Sequence, residues 1–98
     1  MNITKNIDAK KATLTLEGRL DTTTAPQLEK ALDECIPTSD ELVLDFADLE
    51  YISSAGLRVI LKAQKAMNKK GSLKLVHVNE DTMEVFDITG FLDILTIE

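Results

Sequence analysis

The run Leu42-Val43-Leu44-Asp45-Phe46 limits what this chain can fold into more than any other stretch. It is almost continuously apolar, is bounded by polar residues and is too short for a helix. It therefore reads as a strand covered on both faces, the habit of a parallel sheet. A parallel strand reaches its neighbour only through a crossover, usually a helix. The residues that follow supply one. Asp48 to Ser54 read as a polar-to-apolar turn, and a helix runs from about Ala55 to Lys70, closed by Gly71 as its C′ residue. The inner face of that helix is Val59, Ile60, Ala63 and Met67. Its outer face carries the four cations Arg58, Lys62, Lys65 and Lys69, within roughly a sixth of the circumference at about 3.6 residues per turn.

The flanking sequence repeats the alternation. Ile3 to Ile7 is a short strand, Asp8 to Lys11 a turn, and Ala12, Leu14 and Leu16 alternate with Thr13, Thr15 and Glu17 as a second strand of a hairpin ending near Gly18. Asp21-Thr22-Thr23-Thr24-Ala25-Pro26-Gln27 starts a helix, with capping-box spacing between Thr24 and Gln27 and Pro26 in the tolerant first turn. Leu28, Ala31, Leu32 and Cys35 form its apolar face, and Pro37 stops it. Leu73 to Val78 is a further strand. Asn79 caps a helix to about Ile88 with apolar Met83, Val85 and Phe86, Gly90 ends it, and Phe91 to Ile97 reads as a last strand. The order ββαβαβαβ predicts one α/β domain over residues 1–98, with an N-terminal hairpin in a mixed, mostly parallel sheet of about five strands and right-handed crossovers.

Composition narrows function. Net charge is −6, from 11 Lys and Arg against 17 Asp and Glu. Nucleic-acid binding needs a basic face to displace counterions, and one Tyr, three Phe and no Trp offer no evident stacking platform. No apolar run is long enough to insert in a membrane, and the N-terminus lacks a signal-peptide pattern. A single cysteine, Cys35, fits a reducing compartment and reads as core. A soluble cytoplasmic domain is expected.

In such a sheet the loops at Asp21–Thr24, Asp48–Ser54 and His77–Asn79 each follow a strand and open a helix, so they are expected at the carboxyl edge, where α/β proteins place their sites. Asp21 and Ser54 are then neighbours. At a helix entrance the first N–H groups are unpaired and can hold an anion. From the residues alone Ser53 or Ser54 is either an N-cap or, in the case of Ser54, a hydroxyl set to carry a phosphate. The stripe Arg58, Lys62, Lys65, Lys69 is either a solvated face or part of a docking face.

Catalytic chemistry finds little support. No Gly-x-Ser-x-Gly elbow surrounds Ser53 or Ser54, no Lys follows either at three residues, and His77 is the only imidazole. Nucleotide-binding glycine loops are missing, and one His and one Cys on separate elements make no metal cluster. Asp45, Asp48 and Glu50 read as turn formers and solvated charge. No catalytic residue, metal or cofactor is expected.

Three stretches carry a resemblance. Gly18-Arg19-Leu20-Asp21-Thr22-Thr23-Thr24-Ala25, Asp48-Leu49-Glu50-Tyr51-Ile52-Ser53-Ser54-Ala55-Gly56-Leu57 and Val85-Phe86-Asp87-Ile88-Thr89-Gly90-Phe91 resemble, in order and spacing, a STAS domain of the bacterial anti-sigma factor antagonist type. The resemblance implies phosphorylation on Ser54, with Ser53 standing where many members have Asp. It also implies a partner-recognition role for Asp21. The residues expected at the partner face are Asp21, Thr22, Ser53, Ser54, Gly56, Leu57, Arg58 and Lys62. Members of this type bind, when unphosphorylated, an anti-sigma factor that is also a serine kinase of ATPase fold, and so free the sigma factor. Phosphorylation ends the interaction and a serine phosphatase resets it. The alternative the family offers is a non-switching STAS subunit of a membrane lipid transporter.

Overall fold

The computed structural model describes residues 1–98. Strands β1 (Asn2–Asp8) and β2 (Lys11–Leu20) form the expected antiparallel hairpin, from Asn2↔Glu17 to Asp8↔Lys11. Helix α1 (Ala25–Cys35) follows, then β3 (Glu41–Ile52), α2 (Ser54–Asn68), β4 (Ser72–Val76) and α3 (Glu80–Thr89). The sheet has four strands in the order β1-β2-β3-β4, with β3 parallel to both β2 and β4. It is thus a mixed, mostly parallel sheet in the order ββαβαβα. No helix is long and apolar enough to cross a membrane.

The fifth strand expected over Phe91–Ile97 shrinks to a single parallel bridge, Leu75↔Ile97. The N–H groups of Ile94 and Leu95 both bond to Phe91 O, which winds Phe91–Asp93 into a 3₁₀ turn and sends Leu95 into the core. Only Thr96 to Glu98 remain to reach β4, where Leu75 donates to Thr96 O and accepts from Glu98 N, each at 2.9 Å.

The core explains the apolar patterns. Leu42, Leu44 and Phe46 join one cluster of 23 buried residues that includes the expected inner faces of α1 (Leu28, Ala31, Leu32, Cys35) and α2 (Val59, Ile60, Ala63, Met67). Phe86 of α3 reaches the same cluster, its ring centroid 6.3 Å from that of Phe46. Val43 points to the other face and lies outside the cluster, shielded by its register neighbours Thr13 and Lys74. Thr13, Thr15, Asp45, Lys74 and Val76 on that face are half-buried. The run that reads as covered on both faces is therefore packed under helices on one face and flanked by sheet neighbours on the other.

Two local expectations also change. Thr24 occupies the α1 N-cap position without a side-chain cap, because its backbone is already helical (φ −100°, ψ −19°). Its Oγ1 instead donates to Arg19 O and accepts from Asp21 N, each at 2.8 Å, while Gln27 reaches Met1 O. Gly90 ends α3 in the left-handed region as predicted (φ 80°), but Gly71 has no positive φ. What Gly71 provides is room, since a Cβ there would collide with Asp40 O, the acceptor for Ser72 N as β4 begins. No rotamer relieves a clash between Cβ and backbone, so Gly71→Ala must shift the α2–β4 corner. A loss of about 1–3 kcal/mol is expected, seen in thermal denaturation as a Tm lower by at least about 4 °C.

Candidate functional site

Strand β3 runs past Phe46, further than its polar residues suggest. Its pairing with β2 continues to Leu20↔Ile52 through register shifts between Thr15 and Glu17 and between Gly18 and Arg19. The Asp48–Ser54 segment, which reads as a turn in the sequence, is therefore mostly strand, with Leu49 and Ile52 buried and Asp48, Glu50 and Tyr51 exposed. Ser53 N donates to Leu20 O at 2.8 Å, so the chain leaves β2 and β3 side by side and Asp21 and the serines share one edge. The His77–Asn79 loop does not meet them there, because β4 ends at Val76, opposite Asp45, well before β3 does. His77 (φ 58°) instead sets Nδ1 at 2.9 Å from Asp45 Oδ1. Asn79 caps α3 through Thr82 N and also donates to Leu49 O, which lays the start of α3 beside the last part of β3.

The two serines have separate jobs. Ser53 is the N-cap of α2, with extended backbone (φ −103°, ψ 174°), an Oγ that accepts from Gly56 N at 3.5 Å and a carbonyl that accepts from Leu57 N at 3.0 Å. Ser54 is the first helical residue, exposed, and its hydroxyl bonds to no protein group. The first N–H groups of a helix lack intrahelical acceptors, and no acidic residue stands in this first turn to offset them. A free hydroxyl thus sits at the positive end of a 15-residue helix.

Gly56 makes this placement possible. A Cβ there would lie 2.6 Å from Leu20 Cγ and 3.2 Å from Ile52 Cγ1. Only glycine lets α2 start hard against the ends of both strands, and Leu57 then anchors the turn in the core. Both residues are buried, so they shape the surface around the serines and do not themselves form it.

Around the serines, Asp21 is held rigidly. Its Oδ1 accepts from Thr23 Oγ1 at 2.7 Å, Thr23 N at 3.0 Å and Thr24 N at 3.1 Å. The Thr23 hydroxyl, with the two backbone N–H groups, keeps its carboxyl below the usual aspartate range. Thr22 is exposed beside it. On α2 the cations Arg58, Lys62, Lys65 and Lys69 are all exposed. Lys62 pairs with Glu29 of α1 at 3.6 Å, whereas Arg58, Lys65 and Lys69 pair with no carboxylate. Sequence reasoning missed Arg19 and Tyr51, the guanidinium lying over the ring with 4.4 Å from Cζ to the centroid. Only the strand register brings them together.

The family model described as STAS domain matches residues 1–98. The chain belongs to the STAS domain family. It is 34% identical over 102 residues to the anti-sigma-B factor antagonist of Bacillus subtilis (strain 168), covering 99% of this chain and 92% of that protein. A crystal structure of an anti-sigma factor antagonist from Mycobacterium paratuberculosis superposes with a TM-score of 0.89 at 21% identity, covering 98% of this chain and 83% of that one. The antagonist SpoIIAA of Bacillus superposes in its unphosphorylated form (TM-score 0.85, 88% of that chain) and its phosphorylated form (0.78, 91%), each at 16% identity over 99% of this chain. At such identities the solved structures speak for the fold; the relative from B. subtilis speaks for the family.

In this STAS domain the cap and the free hydroxyl are separable. Ser53→Ala is expected to cost about 0.5–2 kcal/mol, whereas Ser54→Ala should stay within about 0.5 kcal/mol of wild type in urea denaturation. Asp21 adds a pH signature. Because its folded pKa lies below the unfolded value, its contribution is complete above about pH 5 and fades as pH falls through the folded pKa. The stability difference between wild type and the neutral isostere Asp21→Asn should be constant above that pH and shrink on acidification.

Proposed function

We propose that this STAS domain is a cytoplasmic anti-sigma factor antagonist that works as a partner switch without catalysing a reaction itself. Unphosphorylated, it binds an anti-sigma factor that is also a serine kinase of ATPase fold, and so frees the sigma factor. Phosphorylation of Ser54 ends the complex, and a serine phosphatase restores it. The observation that carries this reading is the exposed, unbonded Ser54 hydroxyl on the first turn of α2, in a chain whose relatives over nearly their whole length are named anti-sigma factor antagonists.

The geometry gives the switch a physical form. A phosphate adds about −1.5 to −2 charges. On Ser54 it meets the positive end of its own helix, where an anion gains about 0.3–1 kcal/mol, and Arg58 stands one turn on with no other partner. Ser53 caps the helix without a charge, so no fixed anion sits next to the acceptor as it would with Asp. Ser54 is exposed and is not among the buried residues of the core, so a phosphate on it projects into solvent. The fold is therefore kept, and the effect falls on the interface through bulk and repulsion, where each loss of about 1.4 kcal/mol weakens binding tenfold.

The test is capture from native lysate by wild type and Ser54→Asp, each with and without Mg-ATP, with bound proteins and the Ser54 peptide read by mass spectrometry. Wild type is expected to retain an ATPase-fold serine kinase that ATP releases as phosphate appears on Ser54, and that Ser54→Asp, folded and equally stable, fails to retain. Equal retention of a membrane-transport subunit by both proteins, regardless of ATP, would assign the domain to the transporter role instead.

A further inference from the structure

Arg19 is fixed in place yet uses none of its donors. Its guanidinium lies over the Tyr51 ring at 4.4 Å, and its Nε stands 4.0 Å from Asp21 Oδ2, beyond hydrogen-bond range. Asp21 spends its other oxygen on Thr23 and Thr24. A guanidinium carries five N–H donors in one plane, and a place over an aromatic ring engages its charge without consuming those donors. Both side chains are solvent-accessible, Tyr51 at 43%.

The backbone makes this arrangement through a break in register. Up to Gly18↔Leu49 the register of β2 and β3 would carry Arg19 opposite Glu50, an ordinary cross-strand ion pair. A bulge skips Glu50 and sets Arg19 opposite Tyr51, just after Gly18 at φ 104°. Bulges re-aim side chains next to functional sites. Here the bulge exchanges an acid that would consume the donors for an aromatic platform that leaves them open. Leu20, the next residue, points towards α2, where Gly56 admits it. Alternation along the strand turns Arg19 to the face opposite Leu20.

We propose that Tyr51 holds Arg19 as a preset fork for a carboxylate on the partner that this domain binds in its unphosphorylated state, which rests on the partner-switch reading above. The planar fork matches a carboxylate bidentately, Tyr and Arg are the residue types that dominate interface energetics, and holding the fork before docking removes part of its ordering cost. Arg58 remains the cation for a phosphate on Ser54, and Arg19 the cation for the partner.

The test uses the purified anti-sigma factor identified in the capture experiment, titrated without ATP into full-length wild type and variants by isothermal calorimetry. Arg19→Ala and Arg19→Lys are expected to weaken binding at least about tenfold, since a point charge does not replace the fork. Tyr51→Leu should weaken it as well, while Tyr51→Phe, which keeps the ring, binds within about twofold of wild type. All four are expected to melt with wild type, which separates a docking role from a structural one. Arg19→Lys binding as tightly as wild type, or both Arg19 variants doing so while Ser54→Asp is released, would overturn the fork and leave the switch intact. Arg19→Ala that restores binding to the phosphorylated protein would make the anion the domain's own phosphate and would also overturn it. If Ser54→Asp binds as wild type does, the switch reading fails and the fork falls with it.

Discussion

The contact on which the site depends is the close approach of α2 to the ends of β2 and β3. Leu20 and Ile52 are paired in register, Ser53 N extends that pairing to Leu20 O, and Gly56 lies over both side chains with no room for a Cβ. Remove that approach and the helix start lifts off the strand ends, the cap at Ser53 loses its geometry, and the Ser54 hydroxyl no longer projects from a fixed point beside Asp21. The Ser-Ser-x-Gly-Leu motif is thus one packing solution in which the five residues serve in turn as cap, exposed hydroxyl, spacer, clearance and anchor.

Periodic features were legible in the sequence. The hairpin, the inner faces of α1 and α2, the Asn79 cap and the Gly90 stop follow from patterns whose physics is local. Features set by long-range pairing were not. β3 continues through Asp48 and Glu50 because β2 offers partners and bulges place the charges outward, which local composition reads as a turn. Gly71 resembles a helix stop and is instead a clearance for Asp40 O, a contact spanning the fold. The last strand failed because bonds back to Phe91 outcompete β4 for the same segment. At the site, Ser54, Asp21 and Arg58 could be named from motif and spacing, but Arg19 and Tyr51 meet only through a register shift. Their sequence separation carries no hint of it.

Charge is distributed unevenly for a chain of net −6. Basic residues gather on the outer face of α2, while α3 opens with Glu80 and Asp81 and carries no cation. Charges of opposite sign on the two helices give the molecule a field with a direction as well as a shape, which favours one orientation of encounter over others. The exposed ion pairs themselves, such as Lys62–Glu29, add little to stability.

The exposure of Ser54 on a turn whose neighbours Gly56 and Leu57 are buried has an evolutionary consequence. The residues that keep the helix start in place and those a partner can touch are different residues, interleaved along one short stretch. Surface positions such as Thr22, Arg58 and Lys62 are free to diverge without disturbing the core. Duplicated copies of such a domain can drift apart in whom they answer to while retaining one architecture, so that several circuits built on the same fold run side by side in one cell without crosstalk.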